Sequence, residues 1–238
     1  MIFYKKLQKV KAITFDLDDT LYDNHPIIIE ANQALITWMQ THYPATENVS
    51  QKFWMLQQKN ALKENPNLKS DMGKLRYISM LAGFKSLGFS TSKAEAAAKE
   101  CFEYFYYHRS NFSLNANIHA LLKTLSEKLP LVAITNGNVN LEQIGLSPYF
   151  SACFKASITS PMKPNPAMFD NARLHLKLPA SNILHVGDNL EKDVWGALKA
   201  GYQTAWYAEN RDMALGQEPT ISLPHIQLEQ LEDLLNLV

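Results

Sequence analysis

The chain has 238 residues, enough for one α/β core and a smaller second unit. Its 23 basic and 23 acidic residues cancel, so it lacks the surplus positive charge that binding to a nucleic-acid backbone requires. Every apolar stretch is broken by residues such as Glu30 and Asn32 or by a proline before it can span a bilayer, so neither nucleic acid nor membrane is an expected partner.

The amino terminus, Met1-Ile2-Phe3-Tyr4-Lys5-Lys6, lacks the apolar region of a secretory leader, and a cytoplasmic protein is expected. Val10 to Phe15 is an apolar, β-branched run that stops at Asp16-Leu17-Asp18-Asp19, which predicts a buried strand ending in a polar loop. From about Pro26 to Tyr107 the period becomes helical. Ile28, Ala31, Leu35 and Met39 share one face, Ser92 and Glu95 are spaced as a capping box, and Asn65-Pro66-Asn67 and Gly88-Phe89-Ser90 mark breaks between helices. After Asn115, Ile118, Leu121, Leu122 and Leu125 fall on one face of a helix, followed by an apolar strand from Leu131 to Ile134.

A helix opening at Asn165-Pro166 comes next, then a strand from Ile183 to Val186 and a helix from Leu190 to Ala200 closed by Gly201. A strand from Gln203 to Tyr207, a short strand near His225 to Leu228 and a helix from Glu229 to Leu237 finish the chain. Strands alternating with helices predict an α/β fold, a doubly wound parallel sheet whose ligands bind beyond the carboxyl ends of the strands. The helical stretch reads as an insert in that fold. Cys101 and Cys153 are far apart with no Cys or His at ligand spacing, and read as buried apolar residues.

Four polar clusters follow the apolar strands or lie in their loops: Asp16-Leu17-Asp18-Asp19-Thr20, Thr135-Asn136-Gly137, Lys163-Pro164, and Gly187-Asp188 with Asp193. Asp16 and Asp18 are two apart, so in extended backbone their side chains point the same way and can meet one phosphoryl group. Two carboxylates so close repel unless a divalent cation joins them, and magnesium favours such oxygen ligands, with Asp188 as the further ligand from another strand end. Asp16 then serves as a nucleophile that forms an aspartyl-phosphate, and Asp18 as the acid and base that serves the leaving group and the water. Thr135 and the amides around Asn136 and Gly137 supply neutral donors to the phosphoryl oxygens, and Lys163 supplies charge. Alone, each cluster is a common turn or cap. Their order, each after an apolar run, carries the reading.

With these motifs in hand, the sequence resembles the haloacid dehalogenase-like hydrolases along its whole length. The resemblance implies a Rossmann-like core of residues 1–23 and 113–238 and an inserted all-helical cap of the first type, residues 24–112. It implies Asp16 as nucleophile, Asp18 as acid/base whose backbone carbonyl also binds Mg2+, and Asp188 as metal ligand. Asp193 supports the metal site, Gly187 and Gly137 complete the motifs, and Thr135, Asn136 and Lys163 hold the phosphoryl group. Met162 stands where the family often has a small residue. More narrowly, Phe3-Tyr4, Thr14 to Asn24, Leu131 to Asn138 and Ile183 to Asp188 are similar to the bacterial phosphatases that act on FMN and on 5-amino-6-ribitylamino-uracil phosphate in riboflavin synthesis.

The expected substrate is therefore a small phosphorylated metabolite; the sequence names no protein partner. Tyr22 and His25 lead from Asp16 into the helical insert and are the expected substrate contacts. His185 reads as a satisfied core histidine, and Phe102, Phe105, Tyr106, Trp38 and Trp54 as packing residues. A dehalogenase would attack carbon and leave Asp18 and Asp188 without a task. A phosphatase or phosphomutase for a sugar phosphate or nucleotide shares the same core, and a non-catalytic binding protein would be expected to have lost one of the four charged residues.

Overall fold

A computed structural model describes residues 1–238. Seven strands form one sheet in the order β1-β7-β6-β5-β2-β3-β4. They are β1 (Ile2–Phe3), β2 (Ala12–Phe15), β3 (Leu131–Thr135), β4 (Ala152–Lys155), β5 (Ile183–Gly187), β6 (Gln203–Trp206) and β7 (Ile226–Gln227). All neighbours are parallel except the edge pair β1 and β7.

Side chains on the central strands alternate between two cores, as the two-residue period of a strand demands. Ile13, Phe15, Leu131, Ala133, Leu184 and Val186 face one cluster with Leu121, Leu122 and Leu125 of α5 (Ala116–Lys128). Ala12, Val132, Ile134 and Ile183 face the other, against Met168, Phe169 and Ala172 of α6 (Ala167–Leu176) and Ala197 of α7 (Gly196–Lys199). The sheet is thus covered on both faces, the doubly wound arrangement. From β2 the chain builds toward β3 and β4 on one side and toward β5, β6 and β7 on the other, so β2 lies at the switch point where such folds bind ligands.

Between β2 and α5 stand four longer helices: α1 (Asn24–His42), α2 (Gln51–Glu64), α3 (Met72–Ser86) and α4 (Thr91–Arg109). They bury their own cluster, with Ala31, Leu35 and Met39 at four-residue spacing facing Met80, Phe84 and Cys101. A Cβ at Gly83 would strike the Trp54 ring, so glycine lets α2 and α3 approach closely. The two crossings between sheet and helices pack on each other through Tyr22 and Phe112, whose ring centroids are 4.8 Å apart.

Several elements differ from their sequence expectation. The cap of α4 is Ser90, whose side chain accepts from Lys93 N, and not the Ser92 and Glu95 box. Gly88 at φ +87° turns the chain so that Phe89 packs on Phe84, and this starts the helix two residues earlier. The segment Leu190–Trp195 winds as a π-helix before α7, and Leu231–Leu237 is 3-10 and not α. Strands β1 and β4 were unexpected. β4 is only half-buried and gives no continuous apolar run, and β1 is a two-residue edge pair.

Candidate active site

The carboxyl ends of β2, β3 and β5 converge on one cavity of about 660 Å³, with the four-helix unit as its opposite wall. Asp16 follows β2 directly and is buried. Lys163 Nζ donates to Asp16 Oδ1 at 2.7 Å, to Asp193 Oδ1 at 2.6 Å and to the Ile134 carbonyl at 2.8 Å. Asp193 Oδ1 also meets His185 Nε2 at 3.1 Å, while its Oδ2 accepts from Asn189 N at 3.1 Å. The π-helical winding of Leu190–Trp195 contains Asp193, and Gly187 makes room for it: a Cβ there would overlap the Asp193 carboxylate. His185 is a satisfied core histidine, with Nδ1 2.8 Å from Thr14 Oγ1.

Burial raises the Asp16 carboxyl well above the usual carboxylate range, and Lys163 opposes this. Burial also raises Asp188, to about 6, with Asp193 adding repulsion and Arg211 opposing it. Asp193 behaves oppositely: burial pushes it up, but Lys163 and His185 outweigh this and hold it below the usual range. Lys163, buried between two carboxylates, stays charged because their attraction exceeds its own desolvation.

Oxygens of Asp16, Asp188 and Asp193 lie within 4.8 Å of one another, a donor set suited to a hard divalent cation. The bonds already made separate their parts. Asp193 spends both oxygens on protein donors. Asp16 keeps Oδ2, and Asp188 keeps Oδ1 because Arg211 Nη1 takes Oδ2 at 3.0 Å. Arg211 also binds the Asp188 carbonyl and Glu218, so it fixes the carboxylate from behind.

Asp18 belongs to a second group. Its Oδ1 accepts from the Tyr22 hydroxyl at 2.6 Å and from Arg109 Nη2, and its Oδ2 lies over Gly137, where a Cβ would collide with it. Asp19, at φ +62°, makes the turn that follows and accepts from Asn24 N at 3.0 Å, joining the strand end to α1. Thr135 Oγ1 accepts from Gly137 N at 2.9 Å. The Asn136 side chain binds Lys163, donating one N–H to its carbonyl at 3.1 Å and accepting from its N–H at 2.8 Å, so it orients the lysine and keeps its second N–H free. Met162 lines the cavity and is tied by its N–H to Ser70 Oγ in the helical unit at 3.2 Å.

The structure thus gathers Asp16, Asp18, Thr135, Asn136, Gly137, Lys163, Asp188 and Asp193 around one cavity, with Gly187 directly behind. Tyr22 and His25 are placed otherwise than as cavity contacts. Tyr22 is buried behind Asp18, and His25 is exposed on the first turn of α1, with its N–H accepted by the Asp23 cap. Trp54 and Phe105 line the cavity as well as packing the helices, while Trp38 stacks on Tyr104 and His42 away from it. The sequence reading also missed Arg109, Arg76 and Arg211. For Arg109 the available signal was an arginine at the last position of a helix entering the core; for the other two there was none.

A family model described as haloacid dehalogenase-like hydrolase matches residues 10–201. Among curated proteins, the 5-amino-6-(5-phospho-D-ribitylamino)uracil phosphatase YigB of Escherichia coli is 35% identical over 239 residues, covering 100% of both chains. The N-acylneuraminate-9-phosphatase of Rattus norvegicus is 25% identical over 240 residues, covering 96% of this chain and 93% of that one. Among solved structures, a 2-haloacid dehalogenase from Pseudomonas syringae pv. Tomato DC3000 superposes with a TM-score of 0.90 at 30% identity, covering 96% of this chain and 97% of the other. No helix is long and apolar enough to cross a membrane.

Proposed function

The chain belongs to the haloacid dehalogenase-like hydrolase family and is a phosphatase, and from that premise we propose that it hydrolyses a small phosphomonoester through an aspartyl-phosphate on Asp16 with Mg2+ as cofactor. The observation that carries the reading is the buried Asp16 carboxylate, held by Lys163 at 2.7 Å and grouped with Asp188. Asp16 Oδ2 and Asp188 Oδ1 would hold the cation, together with the Asp18 carbonyl implied by the resemblance. Bound there, it supplies positive charge that relieves carboxylate repulsion and offsets charge on the phosphoryl oxygens.

In the first step Asp16 attacks phosphorus, the ester P–O bond breaks and the leaving oxygen takes a proton from Asp18. In the second, Asp18 takes a proton from water as the water oxygen attacks phosphorus, which releases inorganic phosphate and regenerates Asp16. Thr135 binds a phosphoryl oxygen and Lys163 supplies its positive charge beside it, its three N–H groups being held by Asp16, Asp193 and the Ile134 carbonyl, while Asn136 fixes the lysine backbone. A reaction at carbon, as in a dehalogenase, gives Asp18 and Asp188 no comparable work.

The helical unit, residues 24–112, acts as the cap over this site, and the core comprises residues 1–23 and 113–238. A cavity of about 660 Å³ lies in the range of roughly 300 to 1,000 Å³ typical of small-molecule sites, which favours a metabolite over a phosphoprotein. The full-length similarity to the Escherichia coli uracil-intermediate phosphatase supports a phosphorylated ribityl compound with a flat ring, either FMN or that intermediate, in riboflavin metabolism. The test is a panel of phosphorylated metabolites with magnesium, scored by kcat/KM and by product. FMN should exceed glycerol phosphate and yield free inorganic phosphate. A preference for a sugar phosphate would overturn the flavin assignment, and an isomeric ester as product would make the enzyme a mutase.

A further inference from the structure

The five acidic residues lining the cavity, Asp16, Asp18, Asp19, Asp188 and Asp193, all come from the sheet side. The helices contribute no carboxylate to it. They contribute apolar side chains, neutral polar ones such as Gln51, Gln58 and Ser79, and the cations Lys69, Arg76 and Arg109. Arg109 is bound to Asp18, but Arg76 has no carboxylate within ion-pair distance. Its guanidinium lies 3.4 Å from the centroid of the Phe105 ring, and Nη1 donates to Asn32 Oδ1 at 3.1 Å. Asn32 is itself fixed, since its Nδ2 donates to the Ile28 carbonyl at 2.8 Å, which turns Oδ1 toward the arginine. The remaining Arg76 N–H groups bond to no protein acceptor, and the residue lines the cavity.

A planar guanidinium braced by an aromatic face and an amide has lost most of its freedom before any ligand arrives, so its free donors add directional recognition at little entropic cost. We propose that Arg76 is a specificity-determining residue that binds acceptor oxygens at the end of the substrate remote from the phosphoryl group, with an apolar or flat body spanning the space between. This rests on the phosphomonoesterase reading and sharpens it: a substrate needs oxygens at both ends and an apolar middle that fits among Leu35, Trp54 and Met80. Burial without a counter-charge pushes the guanidinium down to about 10, in keeping with a cation that gains from an oxygen partner.

Either ring carbonyls or a carboxylate would satisfy this chemistry, and three substrates separate them. Phenyl phosphate has no remote acceptor, FMN carries ring carbonyls, and 4-carboxyphenyl phosphate carries a carboxylate. Wild-type kcat/KM should favour at least one acceptor-bearing ester over phenyl phosphate. Arg76→Met, which keeps an apolar contact on Phe105, should lower that ratio about ten- to a hundredfold. Arg76→Lys should restore part of the loss for a carboxylate and little of it for ring carbonyls, because a point charge lacks the planar fork. Asn32→Ala, which loosens the arginine without removing it, should move the ratio the same way by a smaller factor, so the result does not depend on how well Arg76→Met folds.

A fall for FMN identifies ring carbonyls, and a fall for the carboxylated ester alone identifies an acid. If the wild type refuses FMN but favours the carboxylated ester, the flavin assignment fails while the role of Arg76 stands. Ratios that shift less than twofold for both esters in Arg76→Met, or a wild type that prefers phenyl phosphate to both, would overturn the assignment.

Discussion

On the sheet side of the cavity every lining carboxylate already has a partner: Lys163 for Asp16 and Asp193, Arg109 and Tyr22 for Asp18, Arg211 for Asp188, and the Asn24 amide for Asp19. On the helical side Arg76 is held by no carboxylate, only by a neutral amide and an aromatic face. The first surface is preorganised around a fixed reaction, so its groups are oriented before substrate arrives. The second leaves donors for the part of the substrate that varies. On the proposed reading, chemistry and selectivity are carried by different elements, with Arg109 bridging them from the end of α4 to Asp18.

The most damaging change to the sheet side should be Asp16→Asn, which keeps the shape and the acceptor for Lys163 but removes the nucleophile. Turnover should fall by several powers of ten in steady-state assays on every substrate alike. A variant that retained more than about a tenth of wild-type turnover would be incompatible with attack by Asp16.

Removal of metal comes next. EDTA should abolish phosphate release and magnesium should restore it, with calcium a poor substitute because its larger, looser shell suits the site less well. Asp188→Ala should raise the magnesium concentration needed for half-maximal activity by about tenfold or more, by analogy with the loss of a metal-site group. An unchanged magnesium requirement would remove Asp188 from the metal site.

Arg109 tests whether the two surfaces are coupled. Its side chain is buried and ion-paired to Asp18, and its Nη1 is buried without a partner. Arg109→Ala should lower kcat about ten- to a hundredfold, by analogy with the loss of a group that orients a functional side chain and below the full worth of a positioned acid or base, with a smaller change in KM. Arg109→Lys should recover part of it. Equal loss in both, with unchanged thermal stability, would show that the guanidinium geometry matters more than its charge, while a change confined to KM would place Arg109 on the substrate instead of on Asp18.

The sheet side was legible in the sequence because its chemistry is written locally. An apolar run ending in Asp-x-Asp fixes both the strand and the side to which its carboxylates point, and the same holds for Thr135 at the end of β3 and Asp188 just after β5. The helical side was not, because a lone arginine at position 76 has the same spacing as any arginine on an amphipathic helix, and only the fold brings Phe105 and Asn32 to it. His25 shows the converse. Closeness to Asp16 along the chain made it a contact, but the Asp23 cap starts α1 so that His25 faces outward. Asn136, expected from its motif to hold the phosphoryl group, also fixes Lys163 through both ends of its amide, a contact that no sequence spacing reveals.

The smallest expected effect concerns the energetic state of the sheet side in metal-free protein. Asp188 has its carboxyl raised to about 6, against about 4 for an unfolded aspartate. A raised carboxylate favours folding less when ionised, so its penalty is fully present above pH 6 and is relieved as the pH falls through 6 toward 4. Between pH 7 and pH 5 this amounts to about 1 kcal/mol, or roughly 2 to 4 °C in Tm for a chain of this size. His185, lowered by burial, loses stability over the same window, so the wild-type curve alone would mix opposing effects. The comparison with Asp188→Asn separates them, since asparagine keeps an acceptor for Arg211 but cannot ionise. Metal-free Asp188→Asn should melt above the metal-free wild type at pH 7, and the gap should narrow by those few degrees at pH 5. Magnesium should raise the wild-type Tm at pH 7 more than at pH 5, because protons compete for the same oxygens, and should do little for the variant. A gap of equal size at both pH values would mean that Asp188 carries no strained charge, and the contrast between a sheet side tensioned for a cation and a helical side open to substrate would lose its electrostatic basis.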